Sequence, residues 1–373
     1  MQVSVSCLRG SRTIGRQRQG VTHVKDEVRH GKRALEPMSS KYMAPQSLDP
    51  PVKNEFHQKA PSLITDETSP KAMKKTLLSK IALAGAFTAA LILCLAETSY
   101  AAPKKVLVVT VTKGFRHSSI PTAEKVLGEL AQSSGAFTVD YARVEPGDPQ
   151  FKGPDNKPDK AKVDAAIEKV LAEKMSPAAL KNYDGIIFAN TTGDLPLPDK
   201  QAFLDWIKSG KAFIGMHSAT DTFRGHKPLD PYVEMIGGEF VHHGAQVEVD
   251  CINQDPKHPA CGHLDKTFHL KDEIYLLNGF ERSKVHGLLT LDKHPNEKTP
   301  GDYPIAWCKM YGQGRVFYTS LGHREDVWDP NWTNNGKRDN PKEVSEAYQK
   351  HILGGIKWAL GLEKGDAKPQ VVP

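Results

Sequence analysis

The chain has 373 residues, with 50 Lys and Arg against 44 Asp and Glu, and a formal net charge of +6. The first 101 residues hold 15 basic and 8 acidic side chains, so the other 272 carry 35 and 36. The basic excess therefore belongs to the leader, which leaves no electrostatic case for nucleic-acid binding by the main body. A body of that length suits one large α/β domain.

The leader reads in two parts. From Met73 a basic segment, Met-Lys-Lys-Thr-Leu-Leu-Ser-Lys80, precedes an apolar run from Ile81 to Leu95 and the small-residue end Ser99-Tyr-Ala101. That order describes a secretory signal peptide over 73–101. The apolar run is shorter than the roughly 20 residues a membrane span needs, so the mature protein is expected not to span a membrane. Leu93 stands before Cys94 where a lipoprotein signal wants a small residue. Residues 1–72 show no sustained apolar periodicity and read as a disordered leader or a mis-assigned start, with translation expected from Met73. The expected product is exported, periplasmic or extracellular, with a domain over 102–365 and a tail over 366–373. Oxidation is permitted there, and Cys251 and Cys261 bracket a Pro-containing loop, so a disulfide between them is expected. Cys308 lies in a strand-like run and reads as a small buried residue.

Lys105 to Thr112 is a continuous β-branched run, the pattern of a strand buried on both faces of a parallel sheet. Ala123, Val126, Leu127, Leu130 and Ala131 then recur at helical spacing. Phe137 to Val144 reads as the second strand, Ala161 to Glu173 as a helix and Tyr183 to Asn190 as the third strand. Pro198 opens a helix that runs to Ile207, with Gly210 as its stop, and Lys211 to Gly215 is the fourth strand. This alternation predicts a doubly wound parallel sheet. The second half is richer in strands: Phe240–Ile252, Thr267–Leu277, Val285–Leu291, Tyr303–Met310 and Arg315–Ser320. The last two are joined by a hairpin turn at Tyr311-Gly-Gln-Gly314, and the group predicts an antiparallel extension. A final helix spans Glu343 to Leu360.

The fourth strand runs into Gly215-Met-His217-Ser-Ala219. Two small residues around one polar side chain have the form of a nucleophile elbow. The apex is His217 rather than Ser or Cys, so its chemistry must be that of an imidazole, as a base or a metal ligand. In an open parallel sheet, ligands bind beyond the carboxyl ends of the strands. Arg116 and His117 follow the first strand, Asp194 the third, and His217 and Ser218 the fourth. His323, Glu325, Asp326 and Trp328 follow the last, and His242-His243 lie on the loop leaving the elbow. Histidines distant in sequence are thus expected on one rim. A zinc site drawn from His117, His217, His243 and His323 would have enough neutral imidazoles, with Glu325 or Asp326 orienting a ligand.

The motifs Gly114-Phe-Arg-His117-Ser, Gly215-Met-His217-Ser-Ala, Gly238-Glu-Phe-Val-His-His243, His258-Pro259, Asp272-Glu-Ile-Tyr275 and Gly314-Arg-Val-Phe-Tyr-Thr-Ser-Leu-Gly-His323 give the mature chain, nearly end to end, a resemblance to a ThuA-like (trehalose-utilisation) domain. That family falls within the class I glutamine-amidotransferase-like superfamily. The resemblance implies a flavodoxin-like three-layer fold and an association with sugar metabolism, particularly 3-keto-disaccharides, and with a metal in some members. His323-Arg-Glu325 resembles the amidotransferase His-x-Glu, but His217 replaces the Cys that would form a thioester, so glutamine hydrolysis is not expected.

Two readings follow. The first is an enzyme acting on a glycoside or 3-keto-sugar by hydrolysis, elimination or isomerisation. His217, His323 and Glu325 would be catalytic, and Arg116, His117, Asp194, Ser218 and Trp328 would contact substrate. The second is a non-catalytic carbohydrate-binding or accessory module with a degenerate elbow. A glycosidase with paired carboxylates is disfavoured, because Asp272-Glu273 read as part of a strand rather than as a ligand edge.

Overall fold

Val106 to Val109 have essentially no exposed surface, and they alternate between two cores. Val106 and Val108 face one helical layer and Leu107 and Val109 the other, which is why the run shows no polar alternation. The computed structural model describes residues 102–370; the leader and signal segments expected over 1–101 lie outside the described residues.

The first half follows the predicted rhythm. Strand β1 (Lys104–Val109) leads to helix α1 (Ile120–Ser134), whose buried face includes all five residues picked out by spacing. Gly135 closes it in the left-handed conformation, φ 61°, which glycine adopts without steric cost. Then come β2 (Phe137–Ala142), α2 (Lys160–Met175), α3 (Pro177–Leu180), β3 (Gly185–Ala189), α4 (Lys200–Lys208) and β4 (Ala212–Met216). Asp159 and Asp199 cap α2 and α4 through backbone N–H groups, satisfying donors that a helix start leaves unpaired. Helix α5 (Pro231–Ile236) follows the elbow.

Beyond it lie β5 (Glu239–His243), β6 (Val247–Asn253), β7 (Thr267–Asp272), β8 (Tyr275–Asn278), β9 (His286–Lys293), β10 (Pro300–Tyr311), β11 (Gly314–Thr319), α6 (Glu325–Trp328) and α7 (Lys342–Ala359). The main sheet runs β2-β1-β3-β4-β11-β10-β9-β6-β7. It is parallel from β2 to β11 and antiparallel from there to β7. Helices α1 and α7 cover one face and α2, α4 and α5 the other, giving the three-layer α/β fold with its antiparallel extension. Among the described residues no helix is long and apolar enough to cross a membrane.

Two expected strands are each divided. Phe240–Ile252 splits into β5 and β6, and Thr267–Leu277 into β7 and β8; β5 and β8 leave the main sheet and pair with each other as a separate ribbon. Period-2 patterning reports which face a side chain takes, not which sheet its strand joins, so the switch left no trace in the alternation. It turns the chain at Glu273–Ile274, and that turn matters for the site below.

The disulfide expected between Cys251 and Cys261 is absent; both are free, buried thiols, as is Cys308. Cys251 sits in the β6–β7 ladder opposite Phe268, and the Cys261 thiol points instead at the Leu288 carbonyl oxygen, 3.7 Å away. Burial pushes both thiols up, which keeps them protonated and unreactive. The tail expected from 366 is held in place as far as Gln370. Its carbonyls and amide bond to Cys308, His286 and Gly287.

At the end of β4, a Cβ on Gly215 would lie 2.9 Å from Ile236 Cδ1 and 3.0 Å from Tyr318 Cδ2. Gly215→Ala is expected to cost about 1–3 kcal/mol through overpacking. A urea midpoint equal to that of the parent protein would contradict this account of the elbow.

Candidate metal centre

His217 leaves β4 with φ 46°, a left-handed backbone that a non-glycine residue holds only when its surroundings over-determine it. The elbow form expected from the sequence is therefore present, with an imidazole at its apex. A carbonyl can only accept, so the 2.9 Å bond from His217 Nδ1 to the Ser320 carbonyl oxygen fixes the proton on Nδ1. The Nε2 lone pair is left bare. Tyr318 Oη donates to the His217 carbonyl at 2.7 Å, pinning the strained backbone from below.

Three further side chains point at that lone pair. His117, on the loop from β1 to α1, brings its Nε2 to 3.2 Å, and His323, three residues beyond Ser320, brings its Nδ1 to 3.3 Å. Glu273, at the sheet switch between β7 and β8, places Oε1 3.8 Å from His217 Nε2 and 3.3 Å from His323 Nδ1. One ligand atom from each of these four lies within 4.8 Å of the others. Ligands held at about 2.0–2.1 Å around a tetrahedral zinc stand about 3.3–3.4 Å apart. The two separations from His217 Nε2, 3.2 and 3.3 Å, already match that edge, and the whole group lies within 4.8 Å, so the residues present fit a divalent cation.

The electrostatics of the two buried histidines favour the same state. Burial, then the charges of His323 and His243, bring the His117 pKa down to about 3. Burial and the neighbouring imidazoles hold His217 well below the ordinary value. Both are thus neutral, the form a metal accepts. Burial opposes a charge on His323, but the hydrogen bond and charge of Glu273, with Asp272 and Glu325 behind, raise it above the usual value. Ser218 Oγ lies 3.3 Å from His117 Nδ1 and can accept its proton, freeing Nε2.

The cluster floors a cleft of about 650 Å³ lined by Phe115, Asp194, Asp221, Arg224, Phe240, His243 and Tyr275 among others. The rim predicted from strand ends is real, but its membership differs. His243 is not in the cluster; its Nδ1 stands 3.0 Å from the other Glu273 oxygen, on the cleft side. Glu325 does not pair with His323, because the turn into α6 carries it away and Glu273 takes that place. Trp328 is fully buried, donating Nε1–H to the Gly322 carbonyl and packing on Tyr348; it supports the His323 loop rather than a ligand. Arg116 turns to Glu145 and the Thr110 carbonyl, lining a separate groove. Ser218 is buried behind His117, and Asp194 stands at the mouth, bonded to His226 at 2.9 Å.

Sequence reasoning missed Glu273, Asp221, Arg224, Phe115, Phe240 and Tyr275. For Glu273 and Tyr275 the available signal is the Asp272-Glu-Ile-Tyr275 motif, which carries part of the family resemblance but reads as strand rather than as a ligand edge. Tyr275 packs on His217, ring centroids 4.5 Å apart, and on Phe240 at 4.1 Å, so it walls the cluster on its cleft side.

Asp272 holds this arrangement together. Its carboxylate has no exposed surface and accepts from Gly322 N at 2.7 Å, Glu273 N at 2.9 Å and Arg324 N at 3.3 Å. Burial raises its pKa to about 6, while those bonds and His323 favour the charged form. Asp272→Ala would leave three backbone donors unmet and loosen Glu273 and His323 together. Expected outcomes are a fall of about 10–100-fold in zinc affinity and a loss of stability of about 1–3 kcal/mol. Titration calorimetry giving parental zinc affinity would remove Asp272 from this role.

The family model for trehalose utilisation, ThuA, matches residues 105–359. A protein described as ThuA-like from Parabacteroides merdae superposes with a TM-score of 0.50 at 19% identity, covering 73% of this chain and 93% of its own. One from Bacteroides uniformis gives 0.48 at 18%, covering 71% and 94%. At 19% identity the Parabacteroides merdae structure speaks to the fold alone. No curated protein matches the chain in sequence. With the family model spanning most of the described residues, the chain belongs to the ThuA, trehalose-utilisation, family.

Proposed function

We propose that this protein is a metal-dependent enzyme acting on a carbohydrate, by hydrolysis, elimination or isomerisation of a glycoside or 3-keto-sugar. The observation that carries the reading is the convergence of His117, His217, His323 and Glu273 on the floor of a cleft, one ligand atom of each lying within 4.8 Å of the others. Zinc is the metal these donors suit best. When bound, it would supply Lewis acidity toward a carbonyl or hydroxyl of the ligand. The carbohydrate half of the proposal is supported by the family's association and by a cleft that combines aromatic faces with carboxylates and a guanidinium.

The protein's own groups have separable tasks. His117 and His217 present neutral imidazoles from buried, doubly anchored positions and would not exchange protons with solvent. Glu273 faces both ways, with Oε1 toward the cluster and Oε2 toward His243. His243 is the partly exposed imidazole, 42% by side chain, and can carry a proton between Glu273 and a ligand in the cleft. On this scheme the three buried or half-buried histidines would hold the metal and leave one position for a ligand, while Glu273, at the edge of that position, shares general acid–base work with His243. Glutamine hydrolysis has no place in this scheme, since the elbow lacks a thiol and the three described cysteines are buried elsewhere. The signal-like segment over 73–101 supports an exported protein.

Elemental analysis and calorimetry test the reading. The protein is expected to bind one zinc per chain, and His217→Ala and His323→Ala are each expected to weaken it by at least 10-fold. His217 is wholly buried, so its variant is also expected to lose stability; His323 faces the cleft and its variant is expected to keep it. Parental zinc binding by a folded His323→Ala variant would refute the site. Stoichiometric metal with no turnover on any keto-sugar or glycoside would point to the binding module instead.

A further inference from the structure

The cleft extends outward from the cluster along a continuous wall. Tyr275 packs on His217, Phe240 packs on Tyr275, and the Arg224 guanidinium lies over the Phe240 ring at 5.1 Å. Arg224 is held there by a built feature. Phe223 takes φ 56°, although it is neither glycine nor a small polar residue. A bulky residue in that region is strained. Its ring is buried with Lys200 Nζ 4.5 Å above it, and its N–H donates to the Gly193 carbonyl at 3.3 Å. With Phe223 turned in, Arg224 is turned out over the cleft. Its Nε pairs with Asp221, and neither terminal nitrogen bonds another described residue. Phe115, 67% exposed, also lines the cleft, its ring edge-on to His117 at 4.9 Å.

We propose that Arg224, Asp221, Phe240 and Phe115 form an outer subsite for a neutral, hydroxyl-rich ring, a sugar unit bearing neither carboxylate nor phosphate. This rests on the carbohydrate reading above and narrows it. The chemistry of the lining decides the charge. Among the described residues Arg224 is the only Lys or Arg lining the cleft, and its charge is already offset by Asp221, with Asp194 adding a further carboxylate at the mouth. An anionic group seated beside Arg224 would find that guanidinium already paired and Asp194 repelling it, while a zinc charge would lie deeper, at the cluster and against Glu273. Vicinal hydroxyls instead find both partners, since they can accept from the free guanidinium nitrogens and donate to a carboxylate. The apolar face of a pyranose ring fits the aromatic surface beside them.

The test compares matched pairs by calorimetry on the zinc-loaded protein: cellobiose with cellobiouronic acid, and trehalose with trehalose 6-phosphate. The neutral member of at least one pair is expected to bind, and to bind more tightly than its acidic counterpart. Arg224→Ala and Phe115→Ala are expected to weaken that binding about ten-fold, and Arg224→Lys to fall between, because it keeps the charge without the fork. Zinc affinity should be unchanged in all three, since none belongs to the metal cluster. Tighter binding of the acidic sugars, or a folded Arg224→Ala variant with parental sugar affinity, overturns the subsite while leaving the carbohydrate reading standing. Absence of binding by every sugar, neutral and acidic, removes both.

Discussion

Asp272 is a carboxylate without access to solvent that accepts backbone N–H groups from Gly322, Glu273 and Arg324. Two of those residues follow β11 and the third begins the departure of the chain toward the β5–β8 ribbon. A buried charge is costly unless its oxygens are met by donors, so these two segments cannot separate without exposing the cost. The interaction therefore fixes the distance between His323, on one segment, and Glu273, on the other. Without it the cluster would be three histidines on a parallel sheet edge, with no carboxylate to complete them.

The same logic extends down the His323 loop. Asp326 is also fully buried, and it accepts from Arg324, Asn340 and the Asp339 amide, while Arg338 and Ser345 donate to its carbonyl. Burial alone would raise the Asp326 pKa, but these bonds bring it down to about 2. The Trp328 and Tyr348 side chains bond the Gly322 and Leu321 carbonyls from beneath. Gly322 itself takes φ 112°, and a side chain there would strike Tyr348 Oη at 2.7 Å. The segment that presents His323 is thus fastened along its length, which is what a preorganised ligand requires.

Much of this was legible in the sequence. The unbroken β-branched run of β1 and the five-residue apolar stripe of α1 fix a doubly wound sheet. Gly215-Met-His217-Ser-Ala219 fixes the elbow, because only small neighbours allow that bend. The histidines at strand ends followed from topology, and His117, His217 and His323 do converge. Glu273 was lost for a specific reason: Thr267 to Leu277 alternates as one strand would, and nothing in that alternation marks a change of sheet. His243 and Trp328 were misplaced because adjacency in sequence to a site residue does not determine direction. The short helix α6 carries Trp328 into the core, and the β5–β8 pairing sets His243 beside Glu273 rather than beside His217.

The elbow also bears on which chemistry its apex can support. A thiol nucleophile at the apex needs an open approach from the cleft, so that an acyl carbon can reach it. Here the apex side chain has no exposed surface, and Tyr275, His117 and His323 pack around its ring. Nothing larger than an ion or a water-sized ligand can reach His217 Nε2. The strained position therefore suits holding rather than attack. Access falls to the half-exposed edge of the cluster, where His323 and Glu273 meet the cleft and His243 stands outside them. On the proposed reading, a substrate atom would arrive on that side, between His243 and the Phe240–Tyr275 wall.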